Sequence, residues 1–385
     1  MNPGSIPAPA VEEGGAPFRF YDNRQKYLAF VNTCNEKSAV AHRAARELDH
    51  VRPTPPALRV FDAGMGDGTV LARLLRTLHF RFPTVPMSVV AKEISLEDVR
   101  LGLEKMPGRF YEHPATVLVV TNLNYADAPH LSPVHGHSEE PLNWQELRLT
   151  GNSTHEYADE IEALGDVLTH GWQTRPSPRT GNPVYVRPTV LVIYRADHEF
   201  MLQGVIPRPG HLLPGYDLIL ASQPWRARMP ARFKARTVLA PLTRALAPGG
   251  RLLAIQSCGG DPGLELIQKL WPGENPFQVD RHHLLDALRA ELGVEAHHYL
   301  FDAAPDGEPV FRYQMHTLPS EIGDRIGTST LFAAWNAAIY VNQIEDERLD
   351  AVVGGGDYLA ATQEVLRRHG GLWFNDETFV VTRRR

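Results

Sequence analysis

The feature that most constrains the fold is an alternation of apolar runs with helical segments, which begins at residue 58. The runs LRVFDAG and MSVVAKEI are each followed by a segment with helical leucine spacing or a helix-capping serine, and ATVLVVTNL is a third such run. None of them alternates between apolar and polar residues, as a strand with one solvated face would. They therefore predict an α/β protein whose parallel sheet is covered by helices on both faces.

The alternation is interrupted between residues 128 and 212, which are rich in proline, histidine, glycine and charge. We predict an inserted cap region there with some structure of its own, including a strand at PTVLVIYRA, because a structureless loop of that length would be unusual. Residues 18–127 would then hold N-terminal helices and the first half of the main domain. Residues 213–385 would hold its second half with C-terminal helices, and residues 1–17 a flexible tail.

The last part of the chain supplies further strands and helices. YDLILASQPW and RLLAIQS are typical of a fourth and a fifth strand, and ETFVVTRR of a closing edge strand. TSTLFAAWNAAIYVNQIEDERL predicts one long helix. Its residues Trp335, Ala338, Ile339 and Ile344 suit a core-facing stripe. As an alternative to a purely structural helix, the residues Asn336, Tyr340 and Asn342 are candidates for lining a pocket.

Composition excludes several classes of protein. The net charge of −6 gives no overall attraction to a nucleic-acid backbone, and no apolar stretch is long enough to predict a membrane span. The first residues lack the basic and apolar segments of a secretory signal. Cys34 and Cys258 are too few for a disulfide framework, which indicates a reducing, cytoplasmic environment. The segment HLSPVHGH contains His130, His135 and His137 but no acidic ligand at a fixed spacing, so we predict a mobile polar loop and no metal site.

The segment LRVFDAGMGDGTVLARLL places three glycines between a strand and a helix. A helix N-terminus offers unpaired N–H groups, so such a turn favours an anion or a polar cofactor. The phosphate-binding loop of nucleotide triphosphatases is excluded, because no lysine follows Gly68. The dinucleotide fingerprint is weakened but stays open, because Thr69 stands where its third glycine belongs. The remaining pattern is an acidic residue followed by glycines at every second position, from Asp62 to Gly68.

This pattern resembles the first motif of class I S-adenosylmethionine (SAM)-dependent methyltransferases. Further matches extend the resemblance over residues 58–257: Glu93 ends the second strand, and LAPGGRLL is similar to the family's turn before its fifth strand. The resemblance implies a doubly wound, mostly parallel seven-stranded sheet of the Rossmann-like, class I methyltransferase type. It also implies SAM as the methyl donor.

The resemblance assigns roles to individual residues. Asp62 would accept a hydrogen bond from the methionine ammonium of SAM, and Glu93 would bind the ribose hydroxyls. A polar residue after the third strand would meet the adenine amine, and Asn122, Asn124 and Asp127 stay open for this role. The helix before the sheet would fold over the cofactor, with a solvated helix face as the alternative. The complete set of predicted SAM contacts is Tyr21, Arg24, Tyr27, Asp62, Gly64, Met65, Gly66, Gly68, Glu93, Ile94, Asn122, Leu123 and Asn124.

The end of the fourth strand, SQPW, is the best candidate for contact with the methyl acceptor. Ligands of open α/β sheets lie outside the carboxyl ends of the strands, so Ser222, Gln223 and Trp225 are the candidate catalytic residues. The tetrapeptide resembles the [DNS]-P-P-[YFW] motif of amino-group methyltransferases, with Gln223 in place of the first proline. The sequence thus predicts a methyltransferase for a small or medium organic acceptor, with an amino nitrogen slightly favoured over oxygen or carbon.

Other functions remain open at this point. WRARMPARFKAR, residues 225–236, is basic with interleaved aromatic residues and would suit RNA or a protein as substrate. An NAD-dependent oxidoreductase would use the same kind of sheet. A catalytically silent scaffold protein with the SAM-binding fold is compatible with the departure at Gln223. The sequence predicts neither the acceptor, nor a general base, nor the oligomeric state.

Overall fold

The structure is a computed structural model that describes residues 24–133, 140–176, 183–210, 215–303, 310–317, 319–323 and 325–385. Its strands are β1 (Leu58–Asp62), β2 (Met87–Lys92), β3 (Thr116–Thr121), β4 (Asn143–Leu149), β5 (Thr174–Pro176), β6 (Pro183–Tyr185), β7 (Thr189–Arg195), β8 (Tyr216–Ser222), β9 (Leu246–Ser257), β10 (Tyr299–Asp302), β11 (Phe311–Gln314) and β12 (Trp373–Arg383).

Its α-helices are α1 (Arg24–Thr33), α2 (Glu36–Ala45), α3 (Thr69–Arg81), α4 (Leu96–Leu103), α5 (Pro107–Glu112), α6 (Thr154–Glu162), α7 (Gly165–Gly171), α8 (Glu199–Leu202), α9 (Ala231–Lys234), α10 (Ala240–Arg244), α11 (Pro262–Leu270), α12 (Arg281–Leu292), α13 (Thr328–Val341), α14 (Asp346–Val353) and α15 (Asp357–His369). A π-helical turn over Ala235–Leu239 joins α9 to α10. Among the described helices, none has the length and apolar character needed to cross a bilayer.

The main sheet has the strand order β10-β12-β9-β8-β1-β2-β3-β7-β4, with β11 paired to β12. The pairs that connect β9, β8, β1, β2 and β3 are parallel, and β12 runs antiparallel to both β9 and β10. The predicted α/β class with a doubly wound, mostly parallel sheet is confirmed. The path from β10 to β3 contains seven strands, and β4, β7 and β11 bring the described sheet to ten.

The first strand explains why helices cover both faces of this sheet. All five residues of LRVFD in β1 are buried. Val60 packs into a core with α2 to α7, and its neighbour Phe61 packs into the opposite core with α10 and α12. Because successive residues of a strand point to opposite faces, an uninterrupted apolar run needs a core on each side. A third core joins α1, α11, α13 and α15 to β11 and β12.

The described residues within 128–212 extend the sheet beyond β3. β7 pairs antiparallel to β3, and β4 pairs parallel to β7. Trp172 Nε1 donates a 2.9 Å hydrogen bond to the carbonyl of Glu93, and the Tyr185 hydroxyl donates to the carbonyl of Ile94. This region therefore packs against the chain where it leaves β2.

Two late elements differ from the sequence predictions. ETFVVTRR, predicted as an edge strand, belongs to β12, which lies between β10 and β9. The strand is buried on both faces, since Phe379 packs into one core and Val380 into the opposite one. The single long helix predicted from residue 328 is two helices, α13 and α14. Between them Gln343 has a φ of 52°. This left-handed conformation interrupts a right-handed α-helix.

Candidate functional site

A cavity of about 390 Å³ lies at the carboxyl ends of β1, β2 and β8. It is bordered by the glycine turn, by α1 and α2, and by the end of α13. Of the predicted site residues it brings together Tyr27, Asp62, Gly64, Met65, Gly66, Glu93, Ile94, Ser222, Gln223 and Trp225. Further residues that line it include Phe30, Glu36, Lys37, Lys92, Tyr125, Tyr313 and Tyr340.

The glycine turn is shaped by two residues with left-handed backbone. Gly66 and Gly68 have φ values of 54° and 76°. A Cβ on Gly66 would lie 3.0 Å from the Tyr27 hydroxyl, so a side chain at this position would project into the cavity. A Cβ on Gly68 would lie 2.5 Å from the Cα of Gly102 in α4. Gly68 therefore serves the close packing of α3 against α4, and it does not line the cavity.

Asp62 is the carboxylate that enters the cavity from the end of β1. Its side chain is buried, and its Oδ1 accepts a 3.2 Å hydrogen bond from the N–H of Gly64. Burial raises the pKa of Asp62 to about 7; the Gly64 amide opposes this shift, and the nearby charge of Glu93 adds to it. A cation placed beside this carboxyl group would favour its ionised form.

Glu93 ties the end of β2 to the glycine turn. Its Oε2 accepts a 2.7 Å hydrogen bond from the N–H of Gly66, and its Oε1 accepts from the N–H groups of Ile94 and Ser95 at 2.7 and 2.8 Å. A carboxylate with these three donors still has acceptor capacity on the cavity side. Glu93 therefore both fixes the turn and lines the cavity.

The residues after β3 are not brought into the cavity. Asn122 donates to the carbonyls of Gly171 and Arg187 at 2.9 and 3.1 Å, which joins the end of β3 to the α7 region. Asn124 closes a local turn by donating to Asp127 Oδ2 at 2.7 Å. Leu123 is buried in the core that contains α10 and α12. These groups therefore serve local structure. The neighbouring Tyr125 is the residue of this loop that lines the cavity.

Hydrogen bonds to residues of β9 and β12 fix the turn after β8. Gln223 has a φ of 50°, and its Nε2 donates to Ser257 Oγ at 3.0 Å and to Asp376 Oδ1 at 3.2 Å. The indole N–H of Trp225 donates to Gln256 Oε1 at 2.9 Å. A non-glycine residue in this conformation persists only where its surroundings fix it, and such residues concentrate at functional sites. The turn therefore presents Ser222, Gln223 and Trp225 to the cavity in one fixed arrangement.

An ion pair between the partly buried Lys37 and the buried Glu36 lies in the wall next to the glycine turn. Lys37 Nζ lies 3.4 Å from Glu36 Oε2, and a Cβ on Gly66 would lie 3.9 Å from the same ammonium. Burial works to lower the pKa of Lys37, but the charge of Glu36 and other nearby acids outweighs it and holds that pKa well above the ordinary value. Lys37 therefore supplies a positive charge beside the turn at neutral pH.

A second lysine lines the cavity at the end of β2. Lys92 is buried, and its Nζ lies 4.6 Å from the centre of the Tyr125 ring. Burial lowers the pKa of Lys92 to about 8, against the attraction of Glu93. The Tyr125 hydroxyl donates to the carbonyl of Pro224 at 3.1 Å, which connects this wall to the turn after β8.

The remaining sequence candidates have different outcomes. Tyr21, His135 and His137 are outside the described residues, as is the side chain of Arg24. Of the polar residues proposed on the long helix, Tyr340 lines the cavity, whereas the side chains of Asn336 and Asn342 donate to the carbonyls of Lys26 and Ala338. The described part of residues 128–212, predicted as a cap, contributes no residue to the cavity lining.

Glu36 and Lys37 are the main residues of the cavity that were not predicted from the sequence. A signal for them exists in the spacing, because Glu36 precedes the buried Val40 and Ala44 by one and two helical turns, and Lys37 precedes the buried Ala41 by one. Charged residues on the buried face of a helix indicate a pocket or a buried ion pair.

Comparisons with known proteins give structural matches only. No protein-family model and no curated protein matches the sequence. A structure of phosphoethanolamine N-methyltransferase 2 from Haemonchus contortus, with phosphomonomethylethanolamine and S-adenosylhomocysteine, is 11% identical and has a TM-score of 0.33. The alignment covers 96% of this chain and 61% of that chain, so the present chain spans less than two thirds of its length.

Two further matches are similar in quality. The CMeT domain of the citrinin polyketide synthase is 16% identical with a TM-score of 0.34, covering 74% of this chain and 53% of that one. Geranyl diphosphate methyltransferase with GPP and sinefungin is 14% identical with a TM-score of 0.30, covering 89% and 78%. At TM-scores this low, the fold class rests on the strand order described above.

Proposed function

We propose that this protein is a class I SAM-dependent methyltransferase that transfers a methyl group to a small or medium organic acceptor. The observation that carries the proposal is the single cavity in which Asp62, the turn of Gly64 and Gly66, and Glu93 meet the fixed turn after β8. The first set is the donor side predicted from the sequence, and the turn is the predicted acceptor side.

The chemistry of the donor side suits SAM better than a phosphate-bearing cofactor. SAM carries an ammonium, a carboxylate and a sulfonium. Asp62 is a buried carboxyl group whose ionisation a neighbouring cation would favour. Lys37 supplies a positive charge for the carboxylate, and Glu93 can accept hydrogen bonds from hydroxyl groups. A pyrophosphate in the same place would meet the buried carboxyls of Asp62 and Glu93.

The residues of this chain perform binding and positioning. When bound, SAM supplies a methyl group on a sulfonium, and the new bond to the acceptor forms as the S–CH₃ bond breaks and sulfur keeps the electron pair. Asp62 and Lys37 hold the two ends of the amino-acid part, and Gly66 lets the backbone approach closely. Gln223 and Trp225 orient the acceptor, and the buried walls exclude water.

An amino nitrogen is the favoured acceptor atom. The turn after β8 presents the Ser222 side chain, a backbone held in one conformation by Gln223, and the ring of Trp225. This set offers hydrogen-bond acceptors for N–H groups beside a flat apolar surface, as the resemblance to the amino-group motif implies. Gln223 in place of a proline keeps the turn rigid through its hydrogen bonds to Ser257 and Asp376.

A small acceptor is favoured over RNA because two basic groups of the segment 225–236 have partners within the protein. Lys234 is buried and donates to the carbonyl of Ala227 at 2.9 Å, and Arg228 pairs with Glu274 at 2.7 Å. Arg228, Arg232 and Arg236 are exposed. The two internal pairings reduce the basic surface of this segment that could meet a phosphate backbone.

The test is transfer of tritiated methyl from SAM to fractions of a cell extract, with Asp62→Ala as the matched inactive variant. We expect label in the low-molecular-mass fraction with the wild type and a strong loss with the variant. Label in RNA or protein would favour the macromolecular alternative. Tight SAM binding without label in any fraction would favour a silent scaffold, and thermal stabilisation by NAD alone would favour an oxidoreductase.

A further inference from the structure

Glu36 is a buried carboxylate in the cavity wall that the donor side does not require. It is 7% exposed, it begins α2 and it lines the cavity. Its Oε2 accepts no hydrogen bond from the described residues, and the cation next to it is Lys37 at 3.4 Å. A buried carboxylate is stable only while a cation or several hydrogen-bond donors compensate its charge.

Lys37 has two possible partners in the same place. Its ammonium pairs with Glu36, and it also lies next to the turn at Gly66. A carboxylate that enters over the turn competes with Glu36 for this ammonium. When Lys37 turns to that carboxylate, Glu36 loses part of its compensation and needs a second cation.

The surroundings of Glu36 are suited to an organic cation. Phe30, Tyr313 and Tyr340 line the cavity with it. The ring centres of Phe30 and Tyr340 are 4.9 Å apart, and those of Phe30 and Tyr313 are 6.1 Å apart. Aromatic faces attract ammonium groups, and a carboxylate beside them supplies the opposite charge. Once Lys37 has turned to the carboxylate of the donor, a neutral hydroxyl acceptor would leave the charge of Glu36 uncompensated.

We propose that Glu36 receives the amino group of the methyl acceptor, and that Lys37 makes this possible by moving to the carboxylate of the bound donor. The inference rests on the proposed function and deepens it: the acceptor is a cationic amine that enters a pocket of aromatic rings and Glu36, after the donor. Glu36 accepts a hydrogen bond from the ammonium of the acceptor and takes one of its protons before the transfer. The nitrogen lone pair freed in this way forms the new C–N bond as the S–CH₃ bond breaks and sulfur keeps the electron pair.

The experiment divides the low-molecular-mass part of a cell extract on a sulfonate cation exchanger at mildly acidic pH. Retained and unretained fractions are each incubated with tritiated SAM and with wild type, Glu36→Gln or Glu104→Gln. Glu104 is an exposed carboxylate at the end of α4, outside the cavity lining, and is the matched control. Equilibrium dialysis of SAM is run on each protein.

We expect the label in the retained, cationic fraction. Glu36→Gln should lose at least about tenfold in the rate at which that fraction is labelled while it binds SAM at least as tightly as the wild type, and Glu104→Gln should equal the wild type. Label in the unretained fraction, or a Glu36→Gln variant as active as wild type on the retained fraction, overturns the inference and leaves the proposed function intact. Failure of the wild type to bind SAM or to label any fraction overturns both.

Discussion

The carboxyl group of Asp62 is expected to make folding and cofactor binding depend on pH in opposite directions. Burial raises its pKa from 3.8 to about 7, although the Gly64 amide opposes the shift. The folded protein therefore holds this proton more tightly than the unfolded chain does. Its contribution to stability is complete below the unfolded pKa and is lost as the pH rises to about 7. A difference of about 3 pKa units corresponds to at most about 4 kcal/mol.

The assay compares the free energy of urea unfolding of the wild type and Asp62→Asn, without ligand, at intervals between about pH 4.5 and 8.5. Asn keeps the shape of the side chain and removes its charge, so the difference between the two proteins isolates this group from the others that titrate. We expect the variant to gain about 2 to 4 kcal/mol relative to wild type across this range. If the difference in unfolding free energy between the two proteins does not change with pH, the pKa of Asp62 is not raised by burial.

Binding of SAM by the wild type should respond to pH with the opposite sign. An ammonium next to Asp62 favours its ionised form, so below pH 7 binding has to release the proton. The Kd should fall by up to about tenfold per pH unit as the pH rises toward 7, measured by calorimetry. In Asp62→Asn the affinity should be weaker and nearly independent of pH. A wild-type Kd that is constant over this interval would contradict the role of Asp62.

Three further predictions concern the surroundings of Asp62. Lys37→Met should weaken SAM binding by about 1.5 to 3 kcal/mol and leave that of 5′-methylthioadenosine, which lacks the carboxylate, unchanged; equal losses for both ligands in calorimetry would contradict the assignment. Glu93→Ala should weaken SAM binding by about 1 to 3 kcal/mol, as the hydrogen bonds of its carboxylate are lost; an unchanged Kd would mean that Glu93 does not face the ligand. Gly68→Ala should lower the free energy of unfolding by about 1 to 3 kcal/mol, because a Cβ there would lie 2.5 Å from a backbone atom of α4. Gly108→Ala, whose Cβ would meet no atom within 4 Å, is the control and should be neutral or slightly stabilising in the same urea titration.

The features predictable from sequence were those encoded by local pattern. The apolar runs at β1, β2 and β3 gave the parallel sheet, because a strand buried on both faces cannot alternate. The position of Asp62 and the glycines between β1 and α3 followed from the strand–turn–helix spacing. The end of β8 could be placed near them because carboxyl ends of parallel strands share one edge.

The features that could not be predicted depend on contacts between distant segments. β12 inserts between β9 and β10, and its basic end gives it the appearance of an edge strand. Asn122 and Asn124 carry polar side chains that could bind a ligand. In the structure Asn122 donates to backbone carbonyls and Asn124 donates to Asp127. Glu36 and Lys37 become site residues only because α2 packs beside the glycine turn. A helical pattern does not specify which element the helix will meet.

SAM binding in this cavity is tested most directly by equilibrium dialysis of the full chain against tritiated SAM at about neutral pH, with unlabelled competitors. We expect one SAM per chain, displacement by S-adenosylhomocysteine, no displacement by NAD, and a markedly weaker Kd in Asp62→Ala. An absence of saturable SAM binding, or an Asp62→Ala protein that binds as tightly as the wild type, would contradict the claim that this cavity holds the methyl donor.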